Sequence, residues 1–335
     1  MAAKTIRAGV IGYGPAFNMG PHHGHSINKN KGLEVACVCD LDKKRLEVAK
    51  TDFPGIKTYT SVARMLNSGK IDLAIVITPH NTHAKLVLQC IKAKVHVVCE
   101  KPLAITGKEV SEMLKAAKQH KVMFSTFHNR RWDGDFVALR KIVREGLIGN
   151  IFRIECGFSG YHEQPTWWRA DKKISGGAIY DWGAHFTDWM LNLVDSKIDT
   201  VTGFQVKNPR WTRYTNEDHS EYTLTFKDGC LATLTMSNLS METKPRWRIL
   251  GDNGSIVHAG DHFLVKAIVK GRRMETKVEF ERDDWDAYYK NIADHLLRGK
   301  PLVITPESAA RVIGVLHAAN ISAAAGCKPV KPLFP

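Results

Sequence analysis

In the first 127 residues, apolar positions come in short β-branched runs separated by stretches of helical period. IRAGVIGYG (6–14), LEVACVCD (33–40), DLAIVITP (72–79), VHVVCE (95–100) and VMFSTFHN (122–129) read as buried strands. Val and Ile suit a pleated surface packed on both faces. Between them, DKKRLEVAKTDF, NTHAKLVLQCIKAK and ITGKEVSEMLKAAKQHK repeat at helical spacing, the last with Thr106 in the N-cap position. Strands alternating with such helices predict right-handed βαβ units and a doubly wound parallel sheet.

Beyond about residue 150 the period shortens to two. IFRIECGFSG, HSEYTLTFKDGCLATLTMSNL and RWRILGDNGSIVHAG predict a mostly antiparallel open sheet with few helices. Asp228-Gly229 and Asn253-Gly254 predict tight hairpins with φ > 0 at both turn positions. TPESAARVIGVLHAANISAAAG predicts a helix with Thr305 as N-cap, Pro306 at the first helical position and Gly326 as stop. The expected class is α/β: a parallel-sheet domain over 1–127, then an α+β domain over 128–335. Nothing obvious covers one face of the second sheet. The apolar residues of LATLTMSNL and RWRIL would be buried by subunits packing sheet to sheet, which predicts a homodimer or homotetramer.

The totals narrow the function. A chain of 335 residues is long for one core. No apolar stretch is long enough to span a bilayer, and the N-terminus runs straight into a strand pattern without a signal peptide's apolar core, so a cytoplasmic, membrane-free protein is expected. The seven cysteines are scattered, with Cys37-x-Cys39 the only close pair and no second pair at zinc spacing. They read as buried free thiols in a reducing compartment, with no metal. A net charge of +14 is spread through helix-like segments rather than gathered in a block. It points to anionic substrates and cofactors rather than to nucleic acid.

Gly12-x-Gly14 directly follows the first strand, where two glycines let the backbone turn tightly and approach a pyrophosphate at a helix N-terminus. The third small residue of that fingerprint is replaced by Phe17. Gly20, Gly24 and NMGPHHGH imply an expanded loop and a late helix start. Asp40 ends the second strand, where a carboxylate could accept both ribose hydroxyls and would repel a 2′-phosphate, favouring NAD over NADP. Asp40 could also cap the helix that follows, which does not exclude the ribose contact. Ligands of open α/β sheets lie outside the carboxyl ends of the strands. Asp40, Thr78-Pro79, Glu100-Lys101-Pro102 and His128-Asn129 all fall at such ends.

GYG at 12–14, T-P-x-x-x-H from Thr78 to His83, E-K-P at 100–102, H-N-R-R-W at 128–132 and G-G-A-I-Y-D-W-G-A-H at 176–185 together resemble the glucose–fructose oxidoreductase / inositol dehydrogenase / MocA family. The likeness covers essentially the whole chain, and the wording at 129–132 and 180–185 is most similar to inositol and related polyol dehydrogenases. The resemblance implies a Rossmann domain, an open-sheet substrate-binding and oligomerisation domain, and reversible oxidation of a sugar or cyclitol hydroxyl by NAD(P). It also implies that Lys101 is the catalytic lysine and that Asp181 and His185 complete the site.

The chemistry of these side chains suits that assignment. Hydride loss from a carbinol requires the hydroxyl proton to leave as well. A neutral His185 can accept it, Lys101 can stabilise the developing alkoxide, and Asp181 can orient the substrate or the base. At four residues apart, Asp181 and His185 would share one helix face. The candidate cofactor contacts are Gly12, Gly14, Pro15, Ala16, Phe17, Asp40, Thr78, Pro79, His80, His83, Glu100, Lys101 and Asn129. Glu100 either bonds the cofactor or positions Lys101, and Lys101–Pro102 is a candidate cis bond.

Candidate substrate contacts, beside the three catalytic residues, are Arg131, Trp132, Tyr161, Trp168 and Arg169. Indole faces suit the C–H face of a sugar, and Arg donates to hydroxyls or carboxylates. His162 and Trp167 are further pocket candidates. His22, His23 and His25 crowd the first loop, as a surface cluster or as contacts to pyrophosphate or a partner. A metal on Asp181 and His185, with His162 and His128, is the other reading of that pair. Two other functions stay open: cleavage of a glycosidic bond through transient oxidation by bound NAD, and a non-catalytic dinucleotide sensor.

Overall fold

The computed structural model describes residues 5–335. The chain falls into two compact units: residues up to 104, 108–128 and 285–309 form the first, and 105–107, 129–284 and 310–335 the second.

The first unit is built on β1 (Ile6–Ile11), β2 (Leu33–Cys39), β3 (Lys57–Tyr59), β4 (Leu73–Val76), β5 (His96–Cys99) and β6 (Phe124–Thr126). All pair in parallel, in the order β3-β2-β1-β4-β5-β6. Every residue of LAIV in β4 is buried, as expected of a central strand covered on both faces. The intervening helices are α1 (Met19–Lys29), α2 (Lys43–Asp52), α3 (Val62–Asn67), α4 (His83–Lys92) and α5 (Gly107–His120). The doubly wound parallel sheet is therefore the observed one.

In the second unit α6 (Gly134–Arg144), α7 (Lys172–Ser175) and α8 (Trp182–Leu193) accompany a single sheet. Its strands are β7 (Ile151–Ser159), β8 (Ile198–Val206), β9 (His219–Phe226), β10 (Leu231–Ser237), β11 (Trp247–Gly251), β12 (Gly254–His258), β13 (His262–Val269) and β14 (Arg272–Glu279). The order is β14-β13-β12-β11-β7-β10-β9-β8, and only β7 and β10 run parallel. Helix α8 lies on one face: a Cβ on its Gly183 would be 3.4 Å from Leu234. Trp189, Phe186, Trp247 and Phe136 form an aromatic core there, with ring centroids 5.3–5.8 Å apart.

The opposite face corrects the burial argument made from sequence. Ala232, Leu234, Trp247 and Ile249 are buried within this chain. Strand alternation puts Thr223, Thr233, Thr235, Glu221, Glu155 and Arg248 on the other side. There Thr223 and Thr233 hydroxyls are 2.9 Å apart, Thr235 donates to Glu221 at 2.7 Å and Arg248 to Glu155 at 2.6 Å. Ala232, Leu234, Trp247 and Ile249 therefore need no partner subunit for their burial.

Both hairpins also differ from expectation. In the β9–β10 turn only Gly229 has positive φ, at 90°, and the loop holds three residues, 227–229, closed by Phe226 N–H to Cys230 O. Asp252 and Asn253 form the β11–β12 turn with no positive φ, and Gly254 is required for another reason: a Cβ there would lie 2.2 Å from Lys266 O.

Two late helices complete the chain, α9 (Asp286–Arg298) and α10 (Pro306–Ala324). Ser308 N–H bonds Thr305 Oγ1 at 3.1 Å, so Thr305 is the expected cap. Residues 285–309 join the first unit because α9 carries Tyr288 and Tyr289 into its core. Their rings lie 4.8 and 5.8 Å from Phe127, and Tyr288 OH bonds Ser125 Oγ at 3.0 Å. A return of the chain after 156 intervening residues leaves no trace in local periodicity. Among the described residues no helix is long and apolar enough to cross a membrane.

In β8, a Cβ on Gly203 would come within 2.1 Å of the Ala319 carbonyl of α10. Gly203→Ala is expected to lower stability by roughly 1–3 kcal/mol. An unchanged urea midpoint would show that these two elements do not pack this closely.

Candidate active site

The first unit carries a dinucleotide-type turn. Gly12 leaves β1 with φ 94°, its N–H bonded to Cys39 O at 2.8 Å, and an added Cβ would sit 2.4 Å from Ile77 O. Only glycine fits. At Gly14 an added Cβ meets nothing within 4 Å, so the backbone there is open to approach. Pro15 leads into a short 3-10 turn at Ala16–Asn18, where Phe17 and Asn18 hold φ of 55° and 51° and Phe17 is 64% exposed. Helix α1 starts at Met19, the late start that the broken fingerprint implied. The close-packing role of the missing third glycine passes to Gly20 and Gly24, whose added Cβ atoms would fall 2.6 Å from the Tyr13 ring and 2.4 Å from that of Phe53.

Asp40 follows β2. One carboxylate oxygen accepts Tyr13 N–H at 2.6 Å and the other Asp42 N–H at 2.8 Å. It is not a helix cap; Asp42 caps α2 by accepting Lys44 N–H at 2.8 Å. A carboxylate has about four acceptor positions, so two remain for ribose hydroxyls. The open turn, the helix start behind it and this anchored acid fit a bound dinucleotide.

Thr78 and Pro79 leave β4, with Thr82 Oγ1 bonded to Thr78 Oγ1 and Pro79 O at 2.6 Å each. His80 and His83 are buried, and His83 is committed to the backbone: Nδ1 lies 2.8 Å from Pro102 O and Nε2 2.8 Å from Thr78 O. Glu100 ends β5. Its Oε2 accepts Lys101 N–H at 2.9 Å, and its Oε1 lies 2.9 Å from His23 Nε2. His23 Nδ1 is 2.5 Å from Tyr289 OH. Glu100 thus holds the backbone of Lys101, and the Lys101–Pro102 bond is cis.

The three histidines stand on α1 rather than in a loop. His23 is fully buried in this chain of contacts, whereas burial, with His23 next, pushes the His22 imidazole below its usual value. His23 and Tyr289 are the residues that sequence reasoning missed as supports; the only signal was an unusual density of histidine.

In the second unit, Gly176 and Gly177 have φ of 91° and 118°, a 3-10 turn follows at Ala178–Tyr180, and Asp181 stands one residue before α8. Asp181 is not within the helix, as its spacing from His185 suggested. Its Oδ1 accepts Arg169 Nη1 at 2.5 Å. The Arg169 guanidinium lies 5.0 and 5.4 Å from the Trp168 and Trp167 ring centroids. His185, 4% exposed, sits in the first turn of α8 beside Trp182 at 5.6 Å between ring centroids.

A buried Asn216-Glu217-Asp218 run supports this turn and was not singled out from sequence. Asn216 Nδ2 donates to Arg169 O at 2.7 Å, Glu217 accepts Ala178 N–H at 3.1 Å and pairs with Lys172, and Asp218 accepts Tyr214 OH at 2.6 Å. Arg131 Nε and Nη2 meet both oxygens of Asp188, at 2.8 and 2.6 Å, with both residues buried. Asn129 is buried at the start of the same turn, and Trp132 is part-exposed at its end. Tyr161 is exposed, its ring 5.6 Å from Trp211.

Among the described residues no three His, Cys, Asp or Glu side chains gather as a metal cluster. Six of the seven free thiols are buried, and burial pushes Cys37 up to about 12.

Comparison with known proteins agrees with both units. Residues 6–128 match the family model for an oxidoreductase family with an NAD-binding Rossmann fold, and 136–257 match the Gfo/Idh/MocA C-terminal domain. The scyllo-inositol 2-dehydrogenase (NADP(+)) IolW of Bacillus subtilis is 28% identical, covering 94% of this chain and 93% of that protein. Myo-inositol 2-dehydrogenase of Thermotoga maritima is 25% identical over 95% of this chain and 96% of that one. The crystal structure of an NAD-binding protein from Listeria innocua superposes with a TM-score of 0.87, at 26% identity over 99% of this chain and 98% of that one.

Arg131→Met leaves the buried Asp188 carboxylate without its bidentate partner and is expected to cost about 3–5 kcal/mol of stability. Chemical denaturation checks this; a variant of wild-type stability with only a raised KM would make Arg131 a substrate ligand instead.

Proposed function

Because the chain belongs to the glucose–fructose oxidoreductase / inositol dehydrogenase / MocA family, we propose that it is an NAD-dependent dehydrogenase oxidising a secondary hydroxyl of a sugar, sugar derivative or cyclitol. The observation that carries this is the Asp40 carboxylate anchored to Tyr13 N–H at the open Gly12–Gly14 turn. An acid there can accept two ribose hydroxyls and repels a 2′-phosphate, which favours NAD. The inositol dehydrogenases among the relatives support a cyclitol or sugar as substrate.

Bound nicotinamide supplies the hydride acceptor. The remaining work falls to this chain. His185 takes the hydroxyl proton on a ring nitrogen as general base. Lys101 Nζ donates to the substrate oxygen as that oxygen gains alkoxide charge. Asp181, held by Arg169, orients the substrate or the base. Trp168 offers an indole face to the C–H side of the ring. In reduction the same groups run in reverse. The outer face of the eight-stranded sheet is proposed as the contact between subunits of a dimer or tetramer, supported by Phe204, which stands 48% exposed there beside Glu221; light scattering that shows only monomer would remove this.

A screen of cyclitols, aldoses and anhydro sugars with NAD and NADP, followed by absorbance of the reduced nicotinamide, tests the assignment. Glycoside cleavage without net NADH would assign the transient-oxidation reaction instead. Lys101→Ala and His185→Ala are each expected to lose about 10²–10⁴-fold in turnover while still binding NAD. Near wild-type turnover of His185→Ala would end its role as base. Asp40→Asn is expected to narrow the NAD-over-NADP preference, and an unaltered ratio would remove the ribose contact.

A further inference from the structure

Two backbone carbonyls share one buried imidazole in the first unit. His83 opens α4 fully buried, with Nδ1 2.8 Å from the Pro102 carbonyl oxygen and Nε2 2.8 Å from that of Thr78. A carbonyl oxygen only accepts, so each ring nitrogen must carry a hydrogen to bond it. A neutral imidazole carries one. Its other nitrogen would then aim a lone pair at an oxygen lone pair where no water can intervene. Both bonds form together only in the imidazolium, and such charge-assisted bonds are about twice as strong as neutral ones.

We propose that His83 is a protonated clamp and a positioning residue for Lys101. Its Nδ1–H fastens the carbonyl of Pro102, the residue after the lysine, and its Nε2–H fastens the turn leaving β4, the strand beside β5. On the other side of the lysine, His23 holds Glu100. The two histidines differ in what they require. Tyr289 OH can donate to His23 Nδ1, so His23 is satisfied while neutral. His83 faces acceptors on both nitrogens. Charged or titratable groups near it include His80, with its ring centroid 5.8 Å away, and Lys101 and Glu100 in the segment that His83 holds.

The positioning role rests on the reading of Lys101 as the group that bonds the substrate oxygen; the charge state of His83 does not. Nitrogen NMR of the whole, histidine-labelled wild-type protein at neutral pH reads the ring directly. Two protonated ring nitrogens are expected for His83, and one protonated with one bare overturns the clamp. His83→Gln is expected to lower kcat on the order of 10–100-fold, the scale of a small misplacement. In a Lys101→Ala background the same change should cost less than about twofold, because nothing is left to position. Equal losses in the two backgrounds overturn the positioning role. Wild-type turnover of Lys101→Ala alone would sink the catalytic reading instead, and the nitrogen spectrum would still decide the clamp.

Discussion

One carboxylate fixes the backbone at the end of β5, where the chain leaves the parallel sheet. Glu100 accepts the Lys101 N–H with one oxygen and faces His23 with the other, while His23 faces Tyr289. A carboxylate in so dry a place is costly unless bonded, so the arrangement persists only as a set. Three elements distant in sequence, α1, the end of β5 and α9, are registered to one another through it. The second unit uses the same device: Asp181, at a turn between glycines and a helix, is held by Arg169, whose backbone is in turn held by Asn216.

Much of this was legible before any coordinates. The β-branched runs 72–79 and 95–100 announce buried parallel strands because a strand covered on both faces has no polar alternation to preserve. Chemistry-bearing residues directly after such runs fall at the carboxyl edge of the sheet, and Asp40, Thr78 and Lys101 do stand there. Illegible were the links between distant residues. His23 and Tyr289 are 266 positions apart, and Arg131 and Asp188 are 57. No window of local period contains either pair, so neither contact could be read from sequence, and His23 read as a loop residue.

The misjudged sheet face has a different cause. LATLTMSNL is apolar on average, but in a strand of period two the average is uninformative. Ala232 and Leu234 turn inward and Thr233 and Thr235 outward, where they join a ladder with Thr223 and Glu221. Turn chemistry misled in a similar way. Gly254 was read for its backbone freedom, whereas the neighbouring strand's Lys266 carbonyl excludes any side chain there.

The place of α9 governs how this protein can be made. Its two tyrosines complete the core around Phe127 and Ser125, yet they emerge from the ribosome after every strand of both sheets. The nascent nucleotide-binding lobe therefore waits, its aromatic seam uncovered, through synthesis of most of its neighbour, and vectorial folding cannot finish the two lobes one after the other. Cutting the gene at the end of β6 would reproduce that waiting state permanently.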